Sequence, residues 1–280
     1  LYNGDYYLTK DIVLDSTIIL DYSYSTRLCL NGHSITCEDT VFDIYSYRHL
    51  LITDCMGTGK IESTNSRQTI SNNNWISIWG GTILNSTDDN VLNRYAIESW
   101  PGTTTYVCGG KAESSYGIAI GYCQPSCNIE ILGGTVHGKY SAIGGHFSGN
   151  EHIPGSIKIS GGRLSSDIHV NTVDVYEADF TMTGGYVEGC ISVGDERTAT
   201  ITGGTIDGTL YAWFNGTTSI SGPVSVTGTD HDYGADEDSL YLKGTATISA
   251  GTYHNNCRFG LDTTISAGNF SDCPNVYFSG

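Results

Sequence analysis

The sequence predicts an all-β fold, a single parallel β-helix of about eleven rungs, and three observations predict it. First, one motif recurs from "ISIWGGTI" (76–83) through "IEILGGTV" (129–136), "IKISGGRL" (157–164), "FTMTGGYV" (180–187) and "ATITGGTI" (199–206) to "ATISAGTY" and "TTISAGNF". Second, its small-residue doublets fall at 80, 109, 133, 161, 184, 203, 222, 250 and 267, spacings of 17 to 29 residues. Third, apolar residues alternate within each copy and helical periodicity is absent, so each copy reads as strand, corner, strand.

The elements follow in chain order. Residues 1–63 form degenerate N-terminal rungs and a cap, with Gly32 and Gly57 as imperfect corners. Residues 76–272 carry the regular rungs: Ile76 and Ile78 point inward, the chain bends at Gly80-Gly81, and Ile83 points inward again. Glycine suits the bend because it tolerates positive φ. Between the corners at 222 and 250 the rung is long, and the acidic run "GTDHDYGADEDS" (228–239) is expected to be an inserted loop.

The opening "YNGDYYLTKDIVLDSTIIL", then "LCLNGHSITC" and "LLITDCMGTGKIES", resembles the start of the right-handed parallel β-helix domains of secreted bacterial surface proteins, in the pectate-lyase-like superfamily. The "GGT" rungs are similar too. The resemblance implies a right-handed coil and an extracellular or cell-surface setting. It carries no catalytic set: "NTVD" (171–174) matches the "NTD" of polygalacturonases only faintly, and their "DD" and "GHG" partners are missing.

A formal charge of −17, with only 13 Lys and Arg, argues against nucleic acid and anionic membranes as partners. No apolar run approaches the ~20 residues of a membrane-spanning helix, so membrane insertion is not expected. No signal peptide is visible, and an opening at Leu1 suggests a mature or excised fragment. Nine cysteines point to an oxidising compartment with some disulfides, and the odd count leaves at least one free or paired outside the chain. Asn85, Asn215 and Asn269 head glycosylation sequons.

A fixed register stacks equivalent positions in rows one strand spacing apart. Four places after the corner the outward residues are His137, Ser165, Glu188, Asp207 and His254, which sets Glu188 beside Asp207 about 5 Å away, the separation of a retaining glycosidase pair. Such proximity would raise one pKa and leave an acid next to a base, with Asp167 and His169 on the same strip. Outward indoles stack on sugars, which makes Trp75 and Trp79 one candidate ligand group and Tyr211 with Trp213 a second, on the side of the Glu188 strip. Asp230, Asp232 and Asp236 offer oxygen ligands for calcium, without the spacing of an EF-hand. Cys257 and Cys273, on successive rungs, suit a rung-to-rung disulfide, and Cys29, Cys37 and Cys55 a staple at the other end.

Three functions fit these features. The first is a glycan-binding or adhesive module with carbohydrate as its partner. The second is a glycan-degrading enzyme, a hydrolase or lyase, using Glu188 and Asp207. The third is a stalk or filament subunit that self-associates end to end, because an open terminal rung is an edge that recruits other chains.

Overall fold

The computed structural model describes residues 4–21, 25–45, 48–88, 93–123, 126–146, 155–169, 171–228, 238–260 and 262–279. Among them every regular element is a strand, and every strand pairing is parallel. The strands repeat in threes, each triplet one coil of a solenoid. One sheet has 12 strands and the other 22. In the larger sheet, Ala178–Glu188 and Thr198–Asp207 run through the corner and serve two ladders at once. Three ladders result: the first holds Trp75–Ile78 and its equivalents before the glycine corner, the second Thr82–Asn85 and its equivalents after it, and the third the 12-stranded sheet.

The alternating pattern decides what is inside. Ile52, Ile78, Val107, Ile131, Ile159, Met182 and Ile201 stack in register up the first ladder and are essentially buried. Ile61, Ile83, Ala112, Val136, Leu164, Val187 and Ile206 do the same in the second. Burying such a side chain contributes about 1.5–3 kcal/mol each before the entropy of ordering is subtracted, so the continuous rows are what close the coil.

The two glycines of a corner are needed for different reasons. Gly110 has φ +67°, in the left-handed region, and a Cβ there would also lie 2.5 Å from the Gly81 carbonyl oxygen of the preceding coil. Gly109 lacks that φ requirement, but its Cβ would lie 2.6 Å from the Trp79 carbonyl oxygen. The doublet therefore encodes both the bend and the close stacking of one corner on the next.

Three local expectations meet the structure differently. Asp238 is not part of a loop, because the third-ladder strand Asp238–Leu242 starts there and buries its carboxylate against Arg258, 2.8 Å from Nε. Asp230, Asp232 and Asp236 lie outside the described residues. Asn85 is buried and donates to the carbonyl of Tyr95, so this sequon is not presented for glycosylation in the folded coil.

Candidate functional site

The second ladder brings Glu188 and Asp207 together as direct register partners, with Ser165 opposite Glu188 and His137 opposite Ser165. Each carboxylate is already engaged. Arg163 Nη2 donates to Glu188 Oε2 at 2.7 Å. Tyr186 donates its hydroxyl to Asp207 Oδ2 at 2.6 Å, and Thr227 donates to Oδ1 at 2.7 Å. The hydrogen bond to Asp207 is the main reason the Tyr186 phenol is pushed upward in pKa. Asp167 sits 3.3 Å from His137 Nε2, whose ring contacts Ser165 Oγ through Nδ1 at 2.9 Å. His169 lies in the following turn with φ +59°, its N–H donating to Ser166 Oγ.

Tyr211 and Trp213 do not share that side. Tyr211 belongs to the third-ladder strand Leu210–Ala212, and the chain turns at Gly208 between it and Asp207. The outward row of the third ladder runs Asp174, Ser192, Tyr211, Tyr241, Arg258, Tyr277, each the register partner of the next. From Tyr211 onward three of its four residues are aromatic. Tyr211 meets Trp213 edge-on at 4.8 Å between ring centroids and Tyr241 edge-on at 4.9 Å. Arg258 lies between Tyr241 and Tyr277, 5.9 and 5.4 Å from their centroids.

Lys243 completes this surface. Its Nζ stands 4.8 Å from the ring centroids of Trp213, Phe214 and Tyr241 and 5.2 Å from that of Tyr211. Burial pulls its pKa down, but the Tyr211 and Tyr241 hydroxyls more than offset this, so the net direction is upward and the ammonium stays charged. Trp213 Nε1 donates to Ser192 Oγ at 3.3 Å, and the residue stays 38% exposed. Next to it opens a cleft of about 360 Å³ lined by Tyr176, Glu177, Gly194, Asp195, Glu196, Arg197 and Trp213. The arrangement joins ring faces for apolar contact to acids that accept hydrogen bonds and cations that donate them. Two row positions from Tyr211, burial pushes the Asp174 carboxyl up to about 6.

Trp75 and Trp79 form a smaller group on the first ladder. Trp75 stacks on His49 at 5.0 Å and approaches Tyr106 at 5.9 Å, while Trp79 is 59% exposed at the corner. His49 Nε2 contacts Ser77 Oγ at 2.9 Å, and burial pulls the ring's pKa down.

Tyr241, Lys243, Phe214 and the cleft residues other than Trp213 are not singled out by the sequence. The signal for two of them is visible in hindsight: "LYAW" (210–213) and "LYLK" (240–243) share Leu-Tyr, and the structure pairs Leu210 with Leu240 and Tyr211 with Tyr241. Among the described residues no group of three His, Cys, Asp or Glu side chains is placed to hold a metal ion. No protein-family model, curated protein or solved structure matches the chain.

Proposed function

We propose that this chain is a glycan-binding or adhesive module that engages carbohydrate through the outward face of its third ladder. The observation that carries the reading is the aromatic row with its adjoining cleft: Tyr211, Trp213, Phe214, Tyr241 and Tyr277 on one face, beside Glu177, Asp195, Glu196 and Arg197. Sugars present apolar C–H faces and a rim of hydroxyls, so ring planes flanked by mixed polar groups complement them. At the ~4.8 Å strand spacing, three steps from Tyr211 to Tyr277 span about 14 Å, a length that suits an extended oligosaccharide.

The coil is proposed to be right-handed, since parallel crossover connections take that hand in about 98% of cases. Secretion or display at a cell surface, and kinship with the pectate-lyase-like superfamily, belong to the same proposal. They rest on the cysteine content and on the N-terminal motifs.

A glycan panel presented to wild type and to Trp213→Ala tests the reading. Loss of the ring is expected to weaken binding by about 2 kcal/mol, roughly thirty-fold in Kd. Binding that survives unchanged removes the third-ladder face as the site. The same panel is assayed for product with wild type, Glu188→Gln and Asp207→Asn. Product in the wild type that disappears in both variants would replace the binding module with the enzyme.

A further inference from the structure

We infer that the chain carries two intramolecular cysteine cross-link sites, one near each end of the solenoid, Cys29 with Cys55 and Cys257 with Cys273, each closed by exchange with a small-molecule disulfide. In each pair the Sγ atoms are 3.6 Å apart, in contact as thiols and within a rotamer adjustment of bonding distance. Each pair joins successive coils. Cys29 ends the first-ladder strand Ser25–Cys29, and Cys55 follows the next strand of that ladder, His49–Thr53, with Cys29 opposite Thr53. Cys257 lies in the third-ladder strand Asn256–Gly260, and Cys273 follows the second-ladder strand Asn269–Asp272 of the next coil.

The N-terminal pair ties the second described coil to the third, and the C-terminal pair ties the last described coil to the one before it, so neither pair of coils can part while the bond holds. The N-terminal link spans 26 residues and the C-terminal link 16. Both loops are long enough for closure to restrict the unfolded chain appreciably.

The two sites differ in reactivity, and this makes the inference specific. Cys55 is exposed and donates to Asn31 Oδ1 at 3.2 Å. Burial disfavours the Cys29 thiolate, but hydrogen bonding at Cys55, its backbone foremost, and at the Asn31 backbone outweighs it, so Cys29 is the more acidic partner and the attacking sulfur. Cys257 is fully buried, and burial pushes its thiol up to about 12.

The chemistry balances with oxidised glutathione as the reagent. The Cys29 thiolate attacks one glutathione sulfur, the reagent's S–S bond breaks, and glutathione thiolate leaves. Cys55, deprotonated, then attacks the Cys29 sulfur and expels the second glutathione. Two protein thiols are oxidised, one disulfide reagent is reduced to two thiols, and the two protons pass to the released thiolates.

The test treats the folded, reduced chain with oxidised glutathione, quenches with acid, alkylates the remaining thiols under denaturing conditions and maps the linked peptides over time. The expected result is the 29–55 link first and the 257–273 link at least about ten-fold later, because so little of Cys257 is thiolate. Cys55→Ser should stop Cys29 at the glutathione mixed disulfide while 257–273 still forms, and Cys273→Ser should leave Cys257 unlinked while 29–55 still forms. Full oxidation should raise the thermal midpoint by about 5 °C or more, a gain absent from the double Ser variant. Other pairings, such as Cys29 with Cys37, overturn the inference, as does a folded chain whose four thiols remain alkylatable throughout.

Discussion

The corner glycines allow backbone strain and coil stacking to be separated by three substitutions. Gly57 has φ +76° and nothing within 4 Å of an added Cβ, so Gly57→Ala meets only the left-handed backbone cost, about 1–2 kcal/mol. Gly109→Ala meets only the steric conflict, a Cβ 2.6 Å from the Trp79 carbonyl oxygen. Gly110→Ala meets both, with φ +67° and contacts of 2.5 Å to the Gly81 oxygen and 2.8 Å to the Gly80 carbon. Those contacts are backbone on the adjacent coil, so relief requires the coils to part. That adds at least a further ~2 kcal/mol, on the scale of overpacking in a rigid interior. The predicted order of destabilisation is therefore Gly57→Ala smallest and Gly110→Ala largest, by about 3 kcal/mol or more in total. Urea unfolding followed by circular dichroism reads this as displaced midpoints. Equal midpoints for Gly57→Ala and Gly110→Ala would refute the claim that corners stack in register across coils.

Other outcomes follow from specific groups. The Asp174 carboxyl is raised to about 6 by burial, against ~3.9 when unfolded, so between these values the folded chain binds the proton more strongly. Its contribution is full below the unfolded pKa and is lost as pH rises through about 6; Asp174→Asn should match wild type in acid and exceed it at neutral pH in thermal melts. In the last described coil the inward-row side chains Ile265, Val276 and Phe278 are 37%, 42% and 58% exposed, whereas Ile248 and Phe259 one coil earlier are 0% and 1%. End-to-end association through this plate should make the mass seen by light scattering grow with concentration, and Phe278→Asp should abolish the growth; a concentration-independent mass would remove the stalk or filament reading.

How far the sequence reaches depends on whether a residue's environment repeats. Ile78, Ile131 and Ile159 are legible as core because their spacing from the doublet is constant, and the coil turns constant spacing into stacking. Glu188 and Asp207 are legible as neighbours for the same reason. Their partners are not, because Arg163, Tyr186 and Thr227 reach them from other positions on adjoining strands. The third ladder is harder still. Connections of unequal length precede its strands, so no fixed distance from a corner places Tyr241 beside Tyr211 or swings Lys243 over four rings. The distinction between the two glycines of a corner also needs coordinates, since "GG" is the same dipeptide whether a position is set by φ or by the coil beneath it.

Hydroxyl-radical footprinting with a glycan identified from the panel tests the central claim most directly, because it reads side-chain accessibility residue by residue. The account predicts protection of Tyr211, Trp213, Phe214 and Tyr241 on ligand addition, with Trp75 and Trp79 oxidised at unchanged rates. Protection confined to Trp75 and Trp79, or around Glu188 and Asp207, would contradict it.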